Sequence, residues 1–232
     1  MLKVEGFDTY YGQSQALRNV SLTVAPGEVL CLLGRNGAGK TTTLKSIMGL
    51  VPPKRGRMSL GGVDLTGLPA HRIPKHGIGY VPQGRRLFAE HTVRENLEIG
   101  LMARGTGREA MERALGYFPA LRERMGQRAG TLSGGEQSML AMARALCLEP
   151  TIMILDEPTE GLMPSMIATI RDVVIRLRAD DVGVLLVEQR IDAVLPVADR
   201  IAFMDHGEIK AELGIAEVRA DTSILRTYLG VG

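Results

Sequence analysis

Three groups of residues in this 232-residue chain have the types and spacing to handle a phosphoanhydride. The first is Gly34-Arg35-Asn36-Gly37-Ala38-Gly39-Lys40-Thr41-Thr42, which satisfies G-x-x-x-x-G-K-[S/T]. A glycine-rich loop between a strand and a helix turns successive backbone N–H groups toward an anion. The helix N-terminus adds unpaired donors and partial positive charge. Lys40 would reach the β- and γ-phosphates of a nucleoside triphosphate, and the Thr41 hydroxyl would coordinate Mg²⁺. The second group is Asp156-Glu157, directly after the apolar run Thr151 to Leu155. A hard Mg²⁺ needs carboxylate oxygen beside the phosphates, and hydrolysis needs a base to polarise water. Asp156 suits the metal and Glu157 the base. The third, Leu132-Ser133-Gly134-Gly135-Glu136, supports two readings: a Ser-x-x-Glu capping box, and an anion site of two bare glycine N–H groups. The peptide alone does not choose between them.

The elements that must hold these residues follow from pattern. Val29 to Leu33 reads as a buried strand feeding the glycine-rich loop, and Thr41 to Leu50 as a helix with Leu44, Ile47 and Met48 on one face. Residues 2–7 and 20–24 alternate as strands, and 57–65 reads as strand, Gly61-Gly62 turn, strand, so antiparallel β segments flank the loop. Ile78 to Gln83 is a further short strand. Thr92-Val93-Arg94-Glu95 is a capping box opening a helix, residues 109–116 and 119–125 suggest short helices, and Gln137 to Leu148 is apolar almost all round, hence buried. Met163 to Arg178 is an amphipathic helix, Val184 to Val187 a strand, and residues 201–213 a hairpin around Asp205-His206-Gly207. This alternation predicts an α/β fold: a phosphate-loop core with a mainly parallel sheet, an antiparallel β-subdomain, and a helical subdomain inserted at about 85–140, all in one domain spanning 1–232.

Composition excludes several functions. Hydrophobic residues make up 45% of the chain, and net charge is +2 from 28 basic and 26 acidic residues, so no nucleic-acid surface is expected. Cys31 and Cys147 suit buried thiols in a reducing compartment better than a disulfide. The four histidines lack metal-ligand spacing. No apolar run approaches the roughly 18 residues of a membrane span, and the first residues do not resemble a signal peptide. A cytoplasmic protein is expected, reaching a membrane only through a partner.

Taken in order, the phosphate loop, Gln83 after a strand, Leu-Ser-Gly-Gly-Glu-Gln and the strand ending in Asp156-Glu157 resemble the nucleotide-binding subunit of ATP-binding-cassette (ABC) transporters over essentially the whole chain. The resemblance implies that Tyr11 stacks on adenine. It implies that Gln83 touches Mg²⁺ and the attacking water and couples the site to membrane permease subunits. Ser133, Gly134 and Gly135 would bind the γ-phosphate of an ATP held by a second ABC ATPase. Two departures stand out. Gln189 occupies the position of the family's usual histidine; it can donate a hydrogen bond to the γ-phosphate but carries no proton charge. Met163 replaces a common aspartate.

Within the family, Leu44 to Leu50, Thr66 to Ile73, Glu160-Gly161-Leu162 and Leu186 to Gln189 resemble the second ATPase of branched-chain amino acid importers, which work with a periplasmic binding protein. The ATPase of urea and short-chain amide importers is the nearest rival. A soluble ABC ATPase acting on ribosomes or DNA would favour two cassettes or a basic face, and a small-molecule kinase or GTPase leaves Leu-Ser-Gly-Gly-Glu unexplained.

Overall fold

The computed structural model describes residues 1–221 and 223–229. Two sheets form its frame. The smaller is antiparallel, in the order β2-β1-β4-β5, built from β1 (Leu2–Tyr11), β2 (Ser14–Val24), β4 (Arg55–Leu60) and β5 (Val63–Asp64). The larger has the order β10-β9-β3-β8-β7-β6. Its strands are β3 (Val29–Leu33), β6 (Ile78–Val81), β7 (Ile152–Asp156), β8 (Gly183–Glu188), β9 (Arg200–Asp205) and β10 (Glu208–Gly214). All pairings among β9, β3, β8, β7 and β6 are parallel, and only β10 runs antiparallel, to β9.

Alternation along the parallel strands divides the core in two. Leu30, Leu32, Ile152, Ile154, Leu185 and Val187 face the antiparallel sheet, with α1 (Lys40–Ile47) between the sheets through Leu44 and Ile47. Val29, Cys31, Met153, Leu155, Val184 and Leu186 face the opposite way, onto a helical layer. That layer comprises α2 (Val93–Arg104), α3 (Arg108–Tyr117), α4 (Gly134–Leu146) and α5 (Pro164–Ala179). Burial on both faces explains why these strands are continuous apolar runs. The short α6 (Ile191–Val194), α7 (Ile215–Ala220) and α8 (Ser223–Leu229) complete the described chain.

Both capping boxes form: Thr92 with Glu95 opens α2, and Ser133 with Glu136 opens α4. Two expectations need correction. The first hairpin strands are longer than 2–7 and 20–24, because β1 and β2 continue past the polar residues near Gly12 to pair Tyr11 with Ser14. The helix after the phosphate loop stops at Ile47, short of Leu50; Gly49 adopts φ +67°, where a Cβ would lie 2.8 Å from the Leu68 carbonyl oxygen. The C-terminal hairpin forms as expected, and its first strand, β9, also pairs parallel to β3, with α7 and α8 following β10. Those two helices are too short to carry a clear periodicity.

The segment joining β6 to α2 is fixed by one fully buried amide. Asn96 Oδ1 accepts from Phe88 N at 3.1 Å, and its Nδ2 donates to the carbonyls of Phe88 and Thr92, each at 3.0 Å. Asn96→Ala should therefore leave the Phe88 N–H unpaired and strip one bond from the carbonyls of Phe88 and Thr92, which keep the His91 and Asn96 N–H groups, destabilising the fold by about 2–3 kcal/mol. A thermal melt checks this, with an expected fall in Tm of roughly 5–10 °C.

Candidate functional site

The site grows from the C-terminal edge of the parallel sheet. β3, β8 and β7 are neighbours in register, Leu33 opposite Glu188 and Val187 opposite Asp156. Gly34, Gln189 and Glu157 therefore leave the sheet side by side. The phosphate loop then turns across this edge. Gly34 has no room for a side chain, since a Cβ would run into the Met204 carbonyl oxygen, and Gly39 bends the chain into α1 at φ 112°. The Lys40 ammonium reaches back along the loop, donating to the carbonyls of Gly34 at 2.8 Å and Arg35 at 3.2 Å.

A cavity of about 680 Å³ opens over the loop. Residues Asn36 to Thr42 form its floor, Gln83, Glu157, Glu160 and Gln189 one wall, and Ser14 to Ala16 with Arg18 the other. Tyr11 stands half-exposed at the end of β1, on the hairpin that supplies this second wall. Arg35 takes no part in the wall and donates from Nε to the Leu229 carbonyl at 3.0 Å.

Both oxygens of Glu157 are engaged. Gln189 Nε2 donates to Oε1 at 2.7 Å, and Gln83 Nε2 donates to Oε2 at 3.2 Å and to Glu160 Oε2 at 3.0 Å. Lys40 Nζ lies 4.0 Å from Glu157 Oε1. Asp156, only 1% exposed, accepts from the Thr41 hydroxyl at 3.3 Å through Oδ1. Its Oδ2 is the buried side-chain oxygen left without a partner among the described residues. Burial raises the Asp156 carboxyl above its ordinary range; the Thr41 hydroxyl opposes this and the Glu157 charge adds to it. Lys40 is lowered by burial, while Glu157, Asp156 and Glu188 push it back up.

An orphaned carboxylate oxygen beside a threonine hydroxyl and a phosphate-binding loop fits a hard divalent cation. No cluster of three or more His, Cys, Asp or Glu with metal-holding geometry occurs among the described residues. A Mg²⁺ ion there would depend on phosphate oxygens and water for its remaining ligands.

Ser133, Gly134 and Gly135 lie elsewhere, at the N-terminus of α4. Ser133 and Gly134 are exposed, but Gly135 is buried where a Cβ would meet the Met166 side chain at 2.7 Å, so the two glycines are not equally bare. Within this chain they do not line the cavity. No local motif marks Glu160, which holds Gln83, or Thr159 and Glu188, which bond behind Glu157, as site residues. A lone carboxylate ending the apolar run Val184 to Val187 was the available signal for Glu188.

A phosphate loop at the strand ends of a doubly covered parallel sheet, with a paired Asp-Glu on the neighbouring strand, defines a phosphate-loop ATPase. The ABC transporter family profile matches residues 17–160. The chain is 41% identical over 232 residues to the high-affinity branched-chain amino acid transport ATP-binding protein BraG of Pseudomonas aeruginosa, covering 99% of this chain and 100% of the relative. It is 38% identical to the probable branched-chain amino acid transport ATP-binding protein LivF of Archaeoglobus fulgidus, over 90% of each chain. It is also 35% identical to the lipopolysaccharide export system ATP-binding protein LptB of Escherichia coli, over 95% of this chain and 93% of that one. Among solved structures, a nucleotide-free ATP-binding cassette from an ABC transporter superposes with a TM-score of 0.88 at 29% identity, over 100% of this chain and 99% of that one. The chain belongs to the ABC transporter family and is its ATP-binding, ATP-hydrolysing component.

Because the folded protein binds the Asp156 proton more tightly than the unfolded chain does, this group's contribution to stability falls as pH rises through the carboxylate range. Above that range it is a constant penalty. Asp156→Asn should therefore raise the nucleotide-free Tm at pH 7, a gain that vanishes below the carboxylate range. The same variant should lose the extra thermal stabilisation by ATP that Mg²⁺ confers over ATP with chelator. Differential scanning calorimetry with and without metal measures both effects.

Proposed function

We propose that this protein is the energy-coupling ATPase of a membrane importer for branched-chain, hydrophobic amino acids. The observation that carries the catalytic part is the Glu157 carboxylate, clamped by Gln83 and Gln189 over the phosphate loop and next to the unpaired oxygen of Asp156. The backbone N–H groups of Gly34 to Gly39 cradle the phosphates, with Arg35, Asn36 and Ala38 supplying loop amides. Lys40 and Thr42 neutralise and orient the β- and γ-phosphates, and Tyr11 stacks on adenine. Thr41, Asp156 and Gln83 hold Mg²⁺, which supplies charge neutralisation of the phosphate oxygens. Glu157 accepts a hydrogen bond from the attacking water and takes its proton as the water attacks, and Gln189 donates to the γ-phosphate oxygens as charge builds there.

Ser133, Gly134 and Gly135 do not line the cavity of their own subunit and close over ATP held by a second ABC ATPase, whether this chain or a related one. A bacterial ABC transporter cassette 28% identical to this chain has been solved as a dimer, which supports that arrangement. The whole chain acts as one ATP-binding domain, with its helical subdomain at about 85–140 facing the permease subunits. Among the described residues no helix is long and apolar enough to cross a membrane, so attachment to the inner face of the cell membrane comes through that permease. A periplasmic binding protein would present the amino acid, which never touches this chain. The match to BraG over the full chain favours this cargo over the lipopolysaccharide handled by LptB systems.

Glu157→Gln should lower ATP turnover by about 10²–10⁴ while keeping nucleotide binding and trapping a dimer with ATP. Phosphate release and size-exclusion chromatography measure this, and near-wild-type turnover rules out the base. For the cargo, the permease that co-purifies with this chain should, in proteoliposomes, drive ATP-dependent uptake of labelled leucine supplied on its binding protein. Uptake of urea instead would reassign the substrate.

A further inference from the structure

Glu188 is a buried carboxylate that the chemistry above does not use. It ends β8, a strand otherwise made of Gly, Val and Leu, and is only 2% exposed. Apolar groups of α5 surround it, including Ile167, Ile170 and Val174. Arg171 lines the same pocket but pairs with Asp172 instead. A valine or isoleucine would suit this position in a parallel strand and avoid desolvating an anion. A charge that breaks the local rule without a packing gain points to a role beyond stability.

Its bonding partners define that role. Glu188 Oε1 accepts from the Thr159 backbone N–H at 3.1 Å and from the Thr159 hydroxyl at 2.6 Å. Oε2 accepts from the Gln189 backbone N–H at 3.3 Å. Thr159 lies two residues after Glu157, and Gln189 donates its side-chain amide to Glu157. The bonds therefore close a ring: Glu157, along the chain to Thr159, across to Glu188, on to Gln189, and back to Glu157. The ring encloses a strained residue. Glu157 sits at φ 50°, in the left-handed region that a non-glycine residue occupies only when its surroundings force it. The Glu157 N–H bond to the Val187 carbonyl at 2.9 Å anchors its near side, and Glu188 anchors the far side through Thr159.

We infer that Glu188 is a positioning residue for hydrolysis, tying the loop that carries Glu157 to the loop that carries Gln189. This rests on the reading of Glu157 as the base. Burial raises the Glu188 carboxyl above its ordinary range, and the Thr159 and Gln189 donors oppose that rise. The bonds within the ring thus stabilise the anionic form that makes them. An amide at position 188 would turn one of its ends from acceptor to donor, facing either Thr159 or the Gln189 N–H. One side of the ring then opens while volume and burial stay unchanged.

The test is steady-state and single-turnover ATPase measurement on Glu188→Gln, Thr159→Val and Thr159→Ser, with nucleotide affinity followed separately by a fluorescent ATP analogue. Glu188→Gln should lower kcat by about 10–10²-fold, as expected for a base displaced by a fraction of an ångström, with nucleotide affinity within about threefold of wild type. Thr159→Val should do the same, and Thr159→Ser, which keeps the hydroxyl, should recover most of that loss. In a Glu157→Gln background Glu188→Gln should cost less than about twofold more, because the residue it positions is already gone. Wild-type kcat in Glu188→Gln overturns the inference, as does a loss of affinity equal to the loss of kcat, or an undiminished loss in the Glu157→Gln background. If Glu188→Gln does not fold, the Thr159 pair decides by the same criteria. Retained turnover in Glu157→Gln alone would instead remove the base assignment, so the two failures are distinguishable.

Discussion

Parallel pairing of β3, β8 and β7 is the constraint on which everything else depends. In a parallel sheet all strands end at the same edge, so residues that follow three different strands emerge together however far apart they lie in the chain. Leu33 pairs with Glu188 and Val187 with Asp156, which sets the phosphate loop, Gln189 and Glu157 in one row. A slip of one residue in either pairing would turn Asp156 or Glu188 to the opposite face of the sheet and disperse the site. Burial on both faces makes such a slip costly, because each strand's two apolar sets fill different cores.

The same edge concentrates negative charge. Glu157 lies 4.0 Å from the Lys40 ammonium, and the charges of Glu157, Asp156 and Glu188 all raise its proton affinity. Burial pushes Asp156 and Glu188 toward their neutral forms, and Asp156 keeps one oxygen unpaired. Such a site holds back stability that a bound cation and phosphate can release. The strained backbone of Glu157 belongs to the same trade, since the bonds that enforce it lie where the base must be held. Glu188 resolves part of the conflict by spending its charge on backbone and hydroxyl donors, not on a cation.

The wall facing the phosphate loop is held by amides. Gln83 and Gln189 each present an NH₂ group to Glu157, from opposite sides of one carboxylate. Neither can titrate near neutrality, so the geometry around Glu157 does not change with pH through these partners. A histidine at position 189 would have introduced such a dependence.

Much of this was legible in the chain. The phosphate loop, the Asp156-Glu157 pair, both capping boxes and the strand-helix alternation are local patterns, because each arises from interactions within a few residues: backbone donors in a glycine-rich turn, an N-cap hydroxyl, an apolar face. Local pattern also placed Ser133 to Gly135 at a helix start. It could not say that Gly135 is covered by Met166, that β9 lies beside β3, or that the amide of Gln83 reaches Glu160 from 77 residues away. Nor could it join Glu188 to Thr159, since a hydrogen bond between two strand ends leaves no periodicity in either. Which chemistry is present follows from the order of residues alone, since chemistry resides in residue types at short spacing. Which groups meet follows only from the folded chain, because strand order and register are properties of the whole sheet and of no single segment.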